Sequence, residues 1–185
     1  MDLAKDLFYA QQTLFTLFSI TNKLQMHGDK HLQDITIRQM LAIPALFHAP
    51  DGKATINHIA RSMGTTKQNA KQIVDAMERK GYVTVSPSEK DKRAVNVTIT
   101  SVGEQAFRTC SERADVFLAN IFHDFTTKDL ETFYTLLQKL YSFDGAEQEN
   151  FDGHNTYNAC ESNDILRHHQ NFVKLRDKTN TRKRK

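Results

Sequence analysis

Between Ile56 and Ile99 the spacing of apolar residues changes from a helical period to an alternation, and this change constrains the fold more than any other feature of the chain. A short helix is predicted over Ile56–Met63. A longer helix begins at Thr65 or Thr66, and its apolar residues recur at intervals of three and four: Ala70, Ile73, Val74 and Met77. Two β-prone runs follow it: Tyr82–Val85 and Val95–Ile99. This order of elements predicts a helix-turn-helix followed by a β wing.

Helices are also predicted before this block. One covers Leu3–Leu24 and ends at Gly28, and its apolar residues do not all fall on one stripe. A helix that is apolar on more than one face is usually buried by more than its own domain. A second helix covers Thr36–His48, with Thr36 as its N-cap, and Pro44 should kink it or end it early.

Two further helices are predicted after the block. Ser101 has capping-box spacing with Glu104 and opens a long helix that includes Phe125, and Thr126 or Thr127 caps the next helix. The fold class is therefore mainly α with a small two- to three-stranded β wing: a winged helix-turn-helix with helices before and after it.

The charge distribution changes after Phe143. Residues 144–164 contain six acidic residues and no Lys or Arg, Ile165–Val173 has the pattern of an amphipathic helix, and Thr181–Lys185 is a basic tail. We expect four parts: an N-terminal helix over 1–35, a winged helix-turn-helix lobe over 36–100, C-terminal helices over 101–143, and an extension over 144–185.

The surface of the second helix of the pair suits a polyanion with readable edges. Its first two turns contain no acidic residue, and the outward positions carry amides, hydroxyls and amines: Thr66, Lys67, Gln68, Asn69, Lys71 and Gln72. Amides bond adenine in two places, Lys reaches guanine acceptors or phosphate, and Thr suits either. Any soluble helix has a polar outer face, so this surface alone does not decide the function.

The loop between the two β-prone runs carries Lys90, Asp91, Lys92 and Arg93. Cations at a hairpin tip follow a phosphate backbone or place Arg in a narrow minor groove. Asp91, two residues from Arg93, can pair with the guanidinium and hold the tip in one shape. A solvated hairpin tip is the alternative interpretation.

Three segments together resemble the MarR (multiple-antibiotic-resistance regulator) family of prokaryotes. They are the helix end ERKGYV at Glu78–Val83, the wing DKRA at Asp91–Ala94, and ITSVG at Ile99–Gly103. They occur in the family's order and spacing, and the close resemblance covers Thr36 to about Phe107. The extension beyond Phe143 departs from the family's usual length.

The resemblance implies a homodimer that binds double-stranded DNA at a pseudo-palindromic operator. It makes 36–100 the DNA-binding lobe, and it makes the helices over 1–35 and 101–143 the N- and C-terminal dimerisation helices. It implies that Thr65–Gln72 read or approach bases. It also implies that the wing contacts DNA through Lys90, Lys92 and Arg93, with Arg93 in the minor groove. Asp91 would orient the Arg93 side chain. It further implies a transcription regulator, with repression the expected sign. A small aromatic acid between the dimer helices and the lobe is the kind of effector that relatives bind.

Composition excludes several other classes. Two cysteines, Cys110 and Cys160, are too few for a disulfide framework and favour a reducing cytoplasm. Asp2 and Asp6 interrupt any secretory leader, and no apolar run approaches the roughly 20 residues of a membrane span. We expect no cofactor and no enzyme activity, because no nucleophile–base pair, paired carboxylates or phosphate-binding glycine loop is present.

Metal and thiol sensing are not favoured. Gly28 is expected to separate His27 from His31, His168 and His169 are adjacent, and His123 has no partner at ligand spacing, so no metal site is predicted. Cys110 lies in a helical segment, where we expect it to belong to the core, and Cys160 lies in the extension. The alternative function is a winged-helix protein-interaction module whose working part is the C-terminal extension.

Overall fold

The computed structural model describes residues 3–88, 94–145 and 170–176. Helices and strands follow one another within these ranges in this order: α1 Leu3–Leu32, α2 Ile37–Phe47, β1 Ala54–Thr55, α3 Ile56–Ser62, α4 Lys67–Arg79, β2 Val83–Pro87, β3 Val95–Ile99, α5 Ser101–Ile121 and α6 Thr127–Tyr141. Single 3₁₀ turns lie at Pro50–Gly52 and Ser142–Asp144, and residues 170–176 are helical. No helix among the described residues is long and apolar enough to cross a membrane.

The first helix does not end at Gly28 as predicted but continues to Leu32. Gly28 lies where α1 meets two other helices: a Cβ there would be 2.4 Å from a side-chain carbon of Ile37 and 3.2 Å from the Phe117 ring. The glycine is therefore required by close packing rather than by a turn. The helix ends at Leu32 because the next residue, Gln33, adopts a left-handed backbone conformation with a φ of 66°.

The second helix continues past Pro44 to Phe47. The proline lacks an N–H for the ladder, but its carbonyl accepts a bond of 3.0 Å from the His48 amide, so the last turn still closes. At the other end the predicted N-cap is confirmed. The Thr36 hydroxyl accepts from the Gln39 amide, and the Gln39 side chain accepts from the Thr36 amide.

The sheet has three antiparallel strands in the order β1–β3–β2. The pairing of β2 with β3 places Val85 opposite Val97 and Val83 opposite Ile99. The short β1 adds Ala54 opposite Val97. The expected wing is confirmed, and the third strand comes from the segment just before α3.

The core lies under this sheet and the helix pair. Its largest fully buried side chains come from the end of α1, the segment before α2, and α3, α4, β2 and β3: Leu32, Ile35, Ile59, Val74, Met77, Val83 and Val97. The predicted stripe of α4 is confirmed, since Ala70, Val74 and Met77 are buried and Ile73 is half-buried. This packing fixes the opposite face of α4 toward solvent.

The boundaries of α5 differ from the prediction. Its N-cap is Thr100 rather than Ser101, because the Thr100 hydroxyl accepts the Gly103 amide at 3.0 Å and donates to the Gly81 carbonyl at 2.6 Å. The helix ends at Ile121, four residues before Phe125. A turn bonded from the Phe125 amide to the Phe122 carbonyl leads to Thr126, which caps α6 with Asp129.

Large apolar side chains remain exposed on α1 and on the last two long helices. On α1 they recur at spacings of three, four and seven and are 52–65% exposed: Leu7, Phe8, Leu14, Phe15 and Phe18. At the C-terminal end they include Leu136, which is 60% exposed, and Phe143, which is 83% exposed. The residues that the structure describes do not cover these faces by themselves.

Candidate nucleic-acid interface

The first turn of α4 is organised by two threonines. Thr66 is the N-cap, and its Oγ1 accepts a bond of 3.2 Å from the Asn69 amide. The Asn69 side-chain nitrogen donates to Thr65 Oγ1 at 3.3 Å. Thr65 is half-buried, so of the predicted reader residues that the structure describes it is the one that presents least surface.

The other predicted positions at the start of α4 are all exposed: Thr66, Lys67, Gln68, Asn69, Lys71 and Gln72. We call this set the α4 face. The first turn contains no acidic residue, so the helix dipole and the Lys67 ammonium both favour an anion there. The amides of Gln68 and Gln72 each offer donors and an acceptor to a base edge.

Lys71 differs from the rest of the α4 face. Its Nζ lies 2.8 Å and 3.1 Å from the two carboxylate oxygens of Asp75, one turn along the same helix. The Lys71 side chain is 65% exposed and the Asp75 side chain 40%. Such an exposed pair contributes little to stability, but it neutralises a cation that a phosphate would otherwise meet.

The wing is attached to α4 at its base. The Glu78 Oε1 accepts a bond of 3.2 Å from the Val85 amide, which joins the last turn of α4 to β2. At the top of the ribbon the Ser88 amide donates to the Ala94 carbonyl at 3.0 Å. The predicted wing residues Lys90, Asp91, Lys92 and Arg93 lie outside the described residues, and their roles stay predictions.

A second attachment joins the lobe to α5 through Gly103. A Cβ at this position would lie 2.1 Å from the Tyr82 carbonyl oxygen, so a larger residue would push apart the start of β2 and the start of α5. The Thr100 amide also donates to this Tyr82 carbonyl at 3.0 Å. The sequence motifs GYV and ITSVG are thus two sides of one contact, which inspection of either motif alone does not reveal.

Histidines and cysteines form no metal cluster of three or more ligands in the described part of the chain. His27 and His31 do lie one turn apart on the uninterrupted α1, contrary to the expectation that Gly28 separates them. The His31 ring stacks on Phe117 with centroids 5.6 Å apart. His168, His169 and Cys160 fall outside the described residues.

Cys110 is a core residue. Its side chain is 3% exposed, and burial raises the pKa of its thiol to about 11. A thiol in this state is a poor nucleophile and a poor ligand at neutral pH. The expectation that Cys110 belongs to the core is confirmed.

Two clefts open beside the helices that flank the lobe. One, of about 520 Å³, lies between α1 and α5 and is lined by Lys23, Leu24, His27, Lys30, His31, Phe117, Asn120 and Ile121. The other, of about 470 Å³, lies where the end of α1 and α5 meet Tyr82, with Arg113 on its wall. The first combines aromatic and apolar surface with amine and imidazole groups and no carboxylate.

Comparison with known proteins finds likeness to transcription regulators. Residues 33–94 match the model of the MarR family. The transcriptional activatory protein BadR of Rhodopseudomonas palustris is 27% identical over 145 residues, which cover 76% of this chain and 79% of BadR.

Solved structures show the same fold. A crystal structure of mutant MarR from E. coli complexed with operator DNA aligns with a TM-score of 0.63 at 20% identity and covers 76% of this chain and 99% of that one. The PcaV transcriptional regulator from Streptomyces coelicolor, in complex with its natural ligand, aligns with a TM-score of 0.64 at 13% identity over 70% of this chain and 91% of PcaV.

Proposed function

We propose that the chain is a DNA-binding, winged-helix transcription regulator that acts as a homodimer, binds a pseudo-palindromic operator and represses transcription from it; the match of residues 33–94 to the MarR family and the likeness to BadR and to MarR support this proposal. One observation carries the proposal. The α4 face is exposed, begins at a free helix N-terminus and has no acidic residue in its first turn. The proposed place of action is the cytoplasm, where a prokaryotic cell keeps its DNA.

The α4 face supplies the sequence readout in this proposal. Its first two turns enter the major groove, with Lys67, Gln68 and Gln72 at base edges or phosphates. The wing supplies the second contact through Arg93, with Lys90 and Lys92 on phosphates and Asp91 orienting the guanidinium. The bond from Val85 to Glu78 supports this assignment, because it fixes the base of the wing relative to α4.

The exposed apolar faces of α1 and α6 support the homodimer. Leu7, Phe15 and Phe18 lie on one side of α1 and are each more than 60% exposed, as is Phe143 beyond α6. Contiguous apolar surface of this kind marks an interface. A second copy supplies equivalent apolar surface through a two-fold axis, and it places two α4 faces one helical turn of DNA apart.

The cleft between α1 and α5 is the proposed effector site. Lys23, Lys30 and His27 surround the apolar surface of Leu24 and Phe117, a setting that suits a small aromatic acid. PcaV, which has the same fold, was crystallised with its natural ligand. Occupation of a cleft between helices that join the two lobes would shift the spacing of the α4 faces. Arg38 of α2 and His48 after it do not line this cleft.

The testing experiment is DNA binding by the full chain. Fluorescence anisotropy would compare a fragment from upstream of its own gene with scrambled DNA of equal length over a salt series. We expect the native fragment to be preferred by about a thousandfold near physiological salt, a typical specificity ratio. Equal and weak binding to both fragments that vanishes with salt would overturn the proposal and favour the protein-interaction module, in which deletion of residues 144–185 abolishes function.

The sign of regulation has its own test. A reporter gene behind the bound fragment would be measured with and without the protein. Repression predicts lower expression with the protein present, and higher expression would instead place this chain with BadR, which is described as an activator.

Sedimentation of the full chain and of its Phe18→Asp variant tests the homodimer. A charge among the exposed apolar side chains of α1 should yield monomers, while Glu131→Gln on α6 should not.

A further inference from the structure

Two cations from different helices converge on the segment that joins α1 to α2. Lys80, the C-cap of α4, donates through Nζ to the Asp34 carbonyl oxygen and, at 3.4 Å, to Gln39 Oε1. Arg113 of α5 donates through Nη1 to the Leu32 carbonyl oxygen at 3.0 Å and to Asp34 Oδ2 at 3.3 Å. We call Asp34, Lys80 and Arg113 the junction.

The junction occupies the C-terminal end of α1. The last carbonyls of a helix have no partner within it and carry the negative end of the helix dipole, so two cations are well placed there. The segment is held on its other side as well, since the Ile37 amide donates to Asp29 Oδ1 at 2.7 Å. Ile35, in the middle of the segment, is fully buried. The two cations of the junction therefore bind a segment that is held in place on its other side as well.

These contacts link the two parts that matter for operator geometry. Lys80 follows the last residue of α4 directly, so its bond ties the end of that helix to α1. Its Nζ also lies 5.6 Å from the centroid of the Tyr82 ring, which holds the side chain across the start of β2. Arg113 ties the same segment to α5. The orientation of α4 relative to α1 and α5 thus depends on groups that meet at Asp34.

We infer that Lys80 and Arg113 are positioning residues, which act through Asp34 to set the orientation of each α4 face and hence the half-site spacing that the dimer accepts. This inference rests on the proposed operator binding and homodimer. A change of one base pair in spacing rotates one half-site by about 35° relative to the other, since B-DNA has 10–10.5 base pairs per turn. A lobe held at a fixed angle does not follow that rotation, and a released lobe does.

A purely stabilising role makes a different prediction. The Arg113–Asp34 pair is partly exposed, with side chains 34% and 72% accessible, and pairs that reach solvent contribute little to stability. A stability effect would also lower the active fraction equally for every DNA. A positioning effect changes the ratio of affinities between spacings, which protein concentration does not alter.

The experiment uses the full chain and the operator found by the binding experiment on DNA from upstream of its own gene. Dissociation constants would be measured for DNAs with half-sites at the native spacing and one and two base pairs longer and shorter. Lys80→Met and Arg113→Met remove the charge and keep an unbranched apolar side chain. Each single variant and the double variant would be compared with a control, Lys128→Met on α6, which lies far in sequence from the junction.

The wild type and Lys128→Met should prefer the native spacing by at least about tenfold, the usual effect of one impaired specific contact. In the double variant we expect this ratio to fall to about threefold or less, because affinity for the native spacing falls while affinity for altered spacings holds. An unchanged ratio, whether all affinities fall together or none does, overturns the inference. If the double variant does not fold, the same ratio in each single variant decides.

Failure of the underlying function is distinguishable from failure of the inference. A wild type with no preference between operator and scrambled DNA removes the proposed function itself. A wild type with clear operator preference and a double variant with the same spacing profile removes only the positioning role. Asp34→Asn adds an internal check, because it keeps the carbonyl that Lys80 binds and removes the carboxylate that Arg113 binds.

Discussion

A Cβ added to Gly103 would stand 2.1 Å from the carbonyl oxygen of Tyr82, well inside van der Waals contact. The start of α5 therefore lies directly on the backbone at the start of β2. The Thr100 amide bonds to the same Tyr82 oxygen. This contact connects the lobe that carries the α4 face with the helix proposed to form the dimer, and it can be tested by one methyl group.

Gly103→Ala should destabilise the chain by about 3 kcal/mol, the upper end of the usual cost of overpacking, because the neighbouring atoms are backbone. Urea unfolding followed by circular dichroism would measure the difference. Gln105→Ala, exposed on the same helix, is the control and should change the free energy of unfolding by less than about 0.5 kcal/mol. Equal stability of the two variants would show that the contact yields at no cost.

Asp75→Asn should increase DNA affinity. Removing the carboxylate releases the Lys71 ammonium, now held at 2.8 Å, for a phosphate and removes a negative charge from near the duplex. We expect a gain of about threefold and a salt slope steeper by about one unit. Anisotropy titrations over a salt series would measure both. Glu131→Gln on α6 should leave affinity and slope unchanged, and a loss of affinity in Asp75→Asn would show that the Lys71–Asp75 pair orients the reader.

Gln68→Ala should relax the preference for one base pair in each half-site. The lost amide bonds to a base edge are worth about 1–3 kcal/mol of discrimination. Binding to operators with every single base change would identify the position. Uniform weakening across all sequences, without loss of discrimination, would show that Gln68 contacts only the backbone.

Arg93→Ala should weaken specific binding by about 1–3 kcal/mol, if the wing enters the minor groove as expected. Competition titrations on the operator would measure this loss. Arg108→Ala on α5 is the matched control for removal of one guanidinium. Binding equal to that of the parent would remove Arg93 from the proposed readers.

Cys110 should resist alkylation in the folded chain. With a thiol pKa raised by burial to about 11, only about one molecule in 10⁴ carries the thiolate at pH 7. The rate should increase tenfold per pH unit up to that pKa, and sharply on unfolding. Iodoacetamide labelling of a Cys160→Ser variant, followed by mass spectrometry, isolates this thiol. Labelling at the rate of a free cysteine would contradict its place in the core.

Local pattern was sufficient for the elements that later form the lobe. The stripe of Ala70, Val74 and Met77 and the cap at Thr36 depend on neighbours within a few residues, and the structure confirms them. The surface of α4 followed from the same period. The division into four parts and the roles of the reader residues stay predictions.

Other features depend on contacts distant in sequence. Gly28 has the residue type of a helix end, and only the approach of Ile37 and Phe117 explains why it lies inside α1. Ala54–Thr55 is too short for a strand pattern and becomes one by pairing with β3. The junction at Asp34 joins residues up to 79 positions apart, so no local motif indicates it.

The exposed first half of α1 also concerns how the protein reaches its working state. An isolated helix of about 15 residues is marginal in water, because nucleation is costly and propagation gains little. Residues 4–16, exposed throughout in the single chain, would be held helical mainly by a second copy. Ordering of this segment and assembly would then be one event, governed by concentration. The abundance of the regulator in a cell would decide not only how often an operator is occupied but how much of the chain is folded to occupy it.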